Sequence, residues 1–204
     1  MPKQLNPFIM LLIGLVILGG CDPTPDAPEQ PTAAMELTDK EEIDPTDTSD
    51  ENPEQEAAMT MSLTSPAFNN GEAIPAQYSC DGEDLSPDLD WFGIPQGTQS
   101  LALIMDDPDA SVGTWIHWVL YNIPADMPGL RTGMTGVGLD GTNSWGSTGY
   151  GGPCPPGGTH RYFFKLYALD TIFDLNPGVK KQALLAALEG HILAQAELIG
   201  TYTR

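Results

Sequence analysis

Residues 115–121, Trp-Ile-His-Trp-Val-Leu-Tyr, are built almost wholly from aromatic, β-branched and aliphatic side chains, with Gly113 before the run and Asn122 and Pro124 after it. A run of this length and composition suits a β-strand, where such side chains pack on a pleated surface. Residues 101–105, Leu-Ala-Leu-Ile-Met, and 162–169, Tyr-Phe-Phe-Lys-Leu-Tyr-Ala-Leu, have the same build. Turn signals recur around them at Asn69-Asn70-Gly71, Asp81-Gly82, Gly93 with Pro95, Asp107-Pro108 and Pro124, at the spacing of an all-β domain. Residues 61–204 are therefore expected to be mainly β, a sandwich with one helix near the C-terminus. That helix follows Asn176-Pro177, a cap and first position, and places Leu184, Leu185, Leu188 and Ile192 on one face. Gly190 disfavours its continuation by about 1 kcal/mol relative to Ala and marks a bend or a stop.

Outward from this domain the composition changes. The 204 residues carry 8 Lys+Arg against 28 Asp+Glu, a formal net charge of −20, which leaves too few cations for a nucleic-acid binder that works by neutralising phosphates. Residues 22–60 hold thirteen of the acids, Lys40 as the sole base, six Pro and no aromatic residue. Such a segment buries too little apolar surface to offset the entropy of ordering, and 21–60 reads as an acidic tether with a root-mean-square reach of ~35 Å. Residues 1–20 combine Lys3 with an apolar run from Phe8 to Leu18 and then Gly19 and Gly20. That run is too short to span a hydrocarbon core ~30 Å thick, and it reads as an export signal. Leu18-Gly19-Gly20-Cys21 resembles the lipobox of bacterial lipoproteins, which implies cleavage before Cys21 and acylation, with palmitate among the chains, of that residue. Multiple acyl chains anchor stably, each buried CH₂ adding ~0.8 kcal/mol. The implied setting is the bacterial cell envelope, facing the periplasm or outside; Asp22 resembles the signal that retains lipoproteins at the inner membrane.

Three stretches carry groups suited to chemistry. Asp107-Pro108-Asp109-Ala110 ends an apolar strand, and by itself reads equally as a turn whose Asp satisfies free backbone N–H groups. In the 115–121 run, a period of two places His117 on the face of Val119 and Tyr121; a lone His there reads as a hydrogen-bonded structural residue. Residues 151–162, Gly-Gly-Pro-Cys-Pro-Pro-Gly-Gly-Thr-His-Arg-Tyr, lead from a turn into a strand whose alternation sets His160, Tyr162 and Phe164 on one face and Arg161 on the other. Between Leu130 and His160 there are ten Gly, yet Trp145, Tyr150 and three Pro are interleaved with them. That mixture favours an ordered loop that brings backbone close to a ligand, with a flexible lid as the alternative.

In order along the chain, Tyr78-Ser79-Cys80-Asp81-Gly82, DPDA at 107–110, His117-Trp118, GYGGPCPP at 149–156 and His160-Arg161-Tyr162 resemble the phosphatidylethanolamine-binding protein (PEBP) family, in particular its bacterial and archaeal Raf-kinase-inhibitor-like branch. The resemblance runs from about Leu63 to Tyr202. It implies a Greek-key β-sandwich with a small anion-binding pocket, to which Asp107, His117, Pro156, His160 and Tyr162 contribute, with Asp109 as a neighbouring acid. Asp106 is a departure that adds a carboxylate beside the pocket strand.

Two His near a carboxylate are expected to have raised pKa values and to donate to an anion, with loop N–H groups and the Tyr hydroxyl as further partners. Arg161 is assigned to an ion pair with Asp109. The resulting expectation is non-catalytic binding of a phosphate or a phosphoethanolamine-like head group, without metal or cofactor. The alternatives are a protein-binding inhibitor of an extracytoplasmic peptidase or other enzyme, a hydrolase using Cys154 and His160, and metal ligation by Asp107, His117 and His160. Against an enzyme, Cys154 has no helix N-terminus or nearby base to lower its pKa, and close metal-ligand spacings are missing. With Cys21 acylated, Cys80 and Cys154 remain as an even pair in an oxidising compartment, either bonded or as two thiols.

Overall fold

In chain order the strands are β1 (Ser62–Thr64), β2 (Leu89–Phe92), β3 (Ser100–Asp107), β4 (Trp115–Pro124), β5 (Gly129–Leu130), β6 (Leu139–Asp140), β7 (Thr159–Leu169) and β8 (Ile192–Thr203), with one α-helix, α1 (Lys181–Leu188), between the last two. The computed structural model of the chain describes residues 60–204; the expected export signal, Cys21 and all but the last residue of the acidic tether lie outside them. All strand pairs are antiparallel, in a three-stranded sheet ordered β1-β2-β5 and a five-stranded sheet ordered β6-β4-β3-β7-β8.

A wholly buried strand sits in the middle of the larger sheet: every residue of β3 is buried. Its two faces feed two cores, as period-two alternation requires. Leu101, Leu103 and Met105 pack with Phe164, Leu166 and Trp118, and with Leu63, Leu89, Trp91 and Leu130 of the smaller sheet. Ala102 and Ile104 pack with Val119, Tyr121 and the buried Leu184 and Leu188 of α1. The larger sheet is thus covered by a sheet on one face and by the helix on the other, which accounts for a strand without a polar side.

Alternation fails in β4, and the failure decides where His117 points. Met105 pairs with Trp118 but Asp106 pairs with Ile116, so β4 advances two residues where β3 advances one. His117 is the extra residue of a β-bulge, and a bulge shifts every following side chain by one position. The expected sharing of a face with Val119 and Tyr121 is therefore corrected. Those two lie under α1, whereas His117 lies on the opposite face, its ring edge-on to Tyr162 with centroids 5.1 Å apart. A second irregularity, between the pairs Leu101–Ile123 and Leu103–Leu120, restores the phase. It falls at Asn122, which is left-handed (φ 54°) and whose side chain exchanges hydrogen bonds with the backbone of Phe173 at 2.8 and 3.0 Å.

The helix starts later and stops earlier than the apolar pattern suggests. Pro177 and Gly178 form a turn and Lys180 is extended beside Thr142, with Gly178 N–H donating to Asp140 O and Thr142 N–H to Val179 O, so α1 starts at Lys181 rather than at Pro177. It ends at Leu188, left-handed Gly190 turns the chain, and Ile192, assigned to the helix face, instead opens β8. The helix is the penultimate element, and β8, paired with β7 along its length, is the last.

Asp106 also points away from the expected pocket. On the helix side of β3 it is almost completely buried and meets Lys165 of β7 at 3.1 Å and Lys181 of α1. One buried carboxylate thus ties the helix to the sheet through two ammonium groups. Replacing Asp106 by Ala leaves both cations at a half-desolvated interface. It is expected to lower the unfolding free energy by on the order of 3 kcal/mol in urea titration, with the m-value unchanged.

Candidate functional site

At one end of the larger sheet, where β3 finishes and β4 and β7 begin, a cavity of about 180 Å³ is lined by Asp107, Trp115, His117, Trp145, Cys154, Pro155, Pro156 and His160, with Ala110, Ser111 and Val112 at its lip. A larger groove of about 740 Å³ runs between α1 and residues 142–146. It contains no histidine, and of the two lysines beside it Lys181 is already paired with Asp106.

Asp107 performs both roles that the DPDA stretch left open. Its Oδ1 accepts the Asp109 backbone N–H at 2.8 Å, closing the turn, and its Oδ2 receives His160 Nδ1 at 2.7 Å. Both side chains are nearly buried. Because Asp107 Oδ2 is an acceptor, His160 carries its proton on Nδ1, and Nε2 is the free ring nitrogen.

His117 is held in the same manner by backbone. Its Nδ1 donates to Gly151 O at 2.7 Å, while Gly151 N–H donates to His117 O at 3.1 Å. The ring stands edge-on between Trp145 and Tyr162, at centroid distances of 5.0 and 5.1 Å. The expectation of a raised pKa is corrected for this residue. Burial of the imidazolium pushes it below the ordinary value, and the Gly151 carbonyl, the Asp107 charge, the Gly152 backbone and Asp84 offset this only in part. His117 favours the neutral form in which Nδ1 bears the proton and Nε2 a lone pair.

The Gly-rich stretch is an ordered loop. Asn143, buried and not singled out in the sequence, accepts the N–H groups of Trp145 and Ser147 on Oδ1, both at 3.1 Å, and donates to Gly149 O. It thereby sets Trp145 against His117 and, at 5.4 Å, against Trp115. Gly151 and Gly152 are required by contact: a Cβ on Gly151 would stand 2.7 Å from the Trp145 ring, and one on Gly152 would stand 2.3 Å from Tyr78 O. The segment 78–84 clamps the loop from outside. Tyr150 Oη donates to Tyr78 O and Gly152 N–H to Asp84 Oδ1, each at 2.7 Å, and Cys80 and Cys154 are joined by a disulfide with Cα atoms 5.4 Å apart. Of the two states left open for these cysteines, the structure has the bonded one, and it secures the wall that continues into Pro155 and Pro156.

Four of the six residues assigned to the pocket, Asp107, His117, Pro156 and His160, line the cavity; Asp109 and Tyr162 do not. Asp109 is engaged by Arg161 through the backbone N–H, Nε and Nη2 at 2.9, 2.9 and 2.7 Å. The guanidinium holds its carboxyl down at about 2, and the pair braces the cavity from outside. Tyr162 is fully buried behind His117, and among the described residues its hydroxyl has no hydrogen-bond partner; burial raises its pKa. Trp115, Trp145 and the lip residues 110–112 are wall components that were not assigned from sequence, although Trp145 among glycines had marked the loop as ordered. Among the described residues, no three His, Cys, Asp or Glu side chains are grouped as metal ligands.

A family model described as phosphatidylethanolamine-binding protein matches residues 64–203. A UPF0098 protein of Methanothermobacter thermautotrophicus is 52% identical over 150 residues, spanning 71% of this chain and 99% of the relative. One from Chlamydia muridarum is 48% identical over 147 residues, spanning 70% and 98%. Among solved structures, a putative PEBP homologue from Chlamydia trachomatis superposes with a TM-score of 0.70 at 45% identity, covering 72% of this chain and 99% of its own. YbcL of E. coli, described as a new member of the mammalian PEBP family, superposes at 0.66 with 31% identity, covering 71% and 98%.

The lowered pKa of His117 has a thermodynamic sign. Near its ordinary value of 6.5 the unfolded chain takes up a proton that the folded chain resists, so stability contributed by neutral His117 is present above pH 6.5 and is lost as pH falls below it. Asp109 acts in the same direction in a separate window, between 3.8 and about 2. Urea titrations across the upper window are expected to show stability rising with pH, and His117→Phe to flatten that slope while leaving the lower window intact.

Proposed function

This chain belongs to the phosphatidylethanolamine-binding protein family, and from that membership together with the meeting of Asp107, His117 and His160 in one cavity we propose that it binds a small phosphorylated or anionic ligand there, without covalent chemistry. The observation that carries the reading is that the two imidazoles, from separate strands, each have Nδ1 committed to the protein and Nε2 left free in a cavity of head-group size. Ring nitrogens fixed in this way are pre-organised partners for oxygen atoms. Among the described residues no Lys or Arg lines the cavity, so binding relies on hydrogen bonds to the two imidazoles rather than on a fixed cationic side chain. That arrangement favours modest affinity and rapid exchange.

The hydrolase alternative loses its nucleophile, because a Cys154 sulfur bonded to Cys80 has no thiolate to attack with. We further propose that Cys21 is acylated and that the domain stands off a bacterial envelope membrane on the acidic 22–60 tether; the support is the Phe8–Leu18 run, the Leu18-Gly19-Gly20-Cys21 sequence and the charge of the segment that follows. Asp22 favours retention at the inner membrane.

Calorimetric titration of the purified protein with phosphate, phosphoethanolamine and acetate tests the pocket. His160→Ala and His117→Ala are each expected to weaken phosphate or phosphoethanolamine binding by about tenfold or more; equal binding by all three proteins removes the assignment. For the anchor, Cys21→Ser is expected to move the exported protein from the membrane pellet to the soluble fraction. Co-sedimentation of variant and wild type overturns acylation as the means of attachment.

A further inference from the structure

The hydrogen-bond polarity of the cavity restricts the ligand more narrowly than charge does. His117 Nδ1 faces a carbonyl oxygen, Gly151 O at 2.7 Å, and a carbonyl only accepts; the ring proton is therefore fixed on Nδ1. Among the described residues no protein group donates to His117 Nε2, and the side chain lines the cavity. A neutral imidazole so oriented presents a lone pair to whatever occupies the space. His160, with Nδ1 on Asp107, offers Nε2–H when it is an imidazolium. His117 is thus an accepting wall of the cavity.

We propose that the cavity selects an oxyacid anion that retains one hydroxyl, such as the monoanion of a phosphate monoester, whose P–OH donates to His117 Nε2 while a charged oxygen faces His160 Nε2. This rests on the anion-pocket reading above and deepens it. A fully ionised tetrahedral group would set an oxygen lone pair against the His117 lone pair, and a buried repulsive contact discriminates more strongly than a missing attraction. The groups that act on His117 come from each element packed around it. These are Asp107 on β3, His160 and Tyr162 on β7, and Asp84 on the clamping segment, whose carboxylate is already taken by Gly152 N–H. None of them supplies a proton donor at Nε2.

Methyl phosphate and methyl sulfate test this directly, because at about pH 5.5 they have nearly the same shape and charge and differ in the single acidic hydrogen, the second phosphate pKa being about 6. Calorimetry of the full-length protein is expected to give at least about tenfold tighter binding of methyl phosphate, and His117→Phe, which keeps a ring between Trp145 and Tyr162, to abolish the preference. Equal binding of both esters by wild type overturns proton selection and leaves the anion pocket standing. Binding of neither ester removes the pocket reading and this inference together, and a preference that survives in His117→Phe removes His117 as its source. Should that variant not fold, nitrogen-15 NMR of the wild-type imidazoles decides. A non-protonated Nε2 on His117 that shifts when methyl phosphate is added supports the proposal, and a proton already on Nε2 in the free protein overturns it.

Discussion

One surplus residue in β4 governs the chemistry of this domain. Strand pairing binds Met105 to Trp118 and Asp106 to Ile116, and only by leaving His117 out of step can the strand bury Val119 and Tyr121 under α1 while turning the imidazole toward β7. In a regular strand the imidazole would lie beneath the helix, far from Asp107 and His160. Bulges recur where a sheet must re-aim a side chain, and here the correction at Asn122 returns the strand to phase, so that Ile123 again faces the main core.

The adjacent pair Asp106 and Asp107 shows how one strand end serves two purposes through the pleat. Successive side chains leave on opposite faces, so one carboxylate binds two lysines and holds a helix, and its neighbour closes a turn and fixes a histidine. Identical residues next to each other in sequence thus have unrelated roles. A domain rich in acids avoids self-repulsion at this point because each of Asp106, Asp107 and Asp109 has its own partner, the last in Arg161.

Much of this was legible in the chain because apolar runs bounded by turn residues mark strands reliably. Residues 101–105, 115–121 and 162–169 lie within β3, β4 and β7, and the alternation of His160, Tyr162 and Phe164 is the observed one, all three being buried. Strand β8 was hidden by its alanines and by the leucines before it, which together mimic a longer amphipathic helix; the break depends on Gly190, a single residue. The bulge at His117 has no signature in composition, since it arises from register against β3. Likewise the reversal of the expected His117 pKa depends on how deeply the ring is buried, which spacing does not encode. Asn143, whose side chain organises the loop around Trp145, stood among other polar loop residues with nothing to distinguish it.

The indole of Trp145 is about half exposed and leans edge-on against His117, while Trp91 and Trp118 are buried in the core. The cavity therefore carries an intrinsic fluorophore in contact with the imidazole whose partners change on occupancy, beside Trp115 on the same wall and set apart from the buried Trp91 and Trp118 by its access to solvent. Occupancy of this site can be followed optically in unlabelled protein, even for ligands too small and too weakly held to capture by other means.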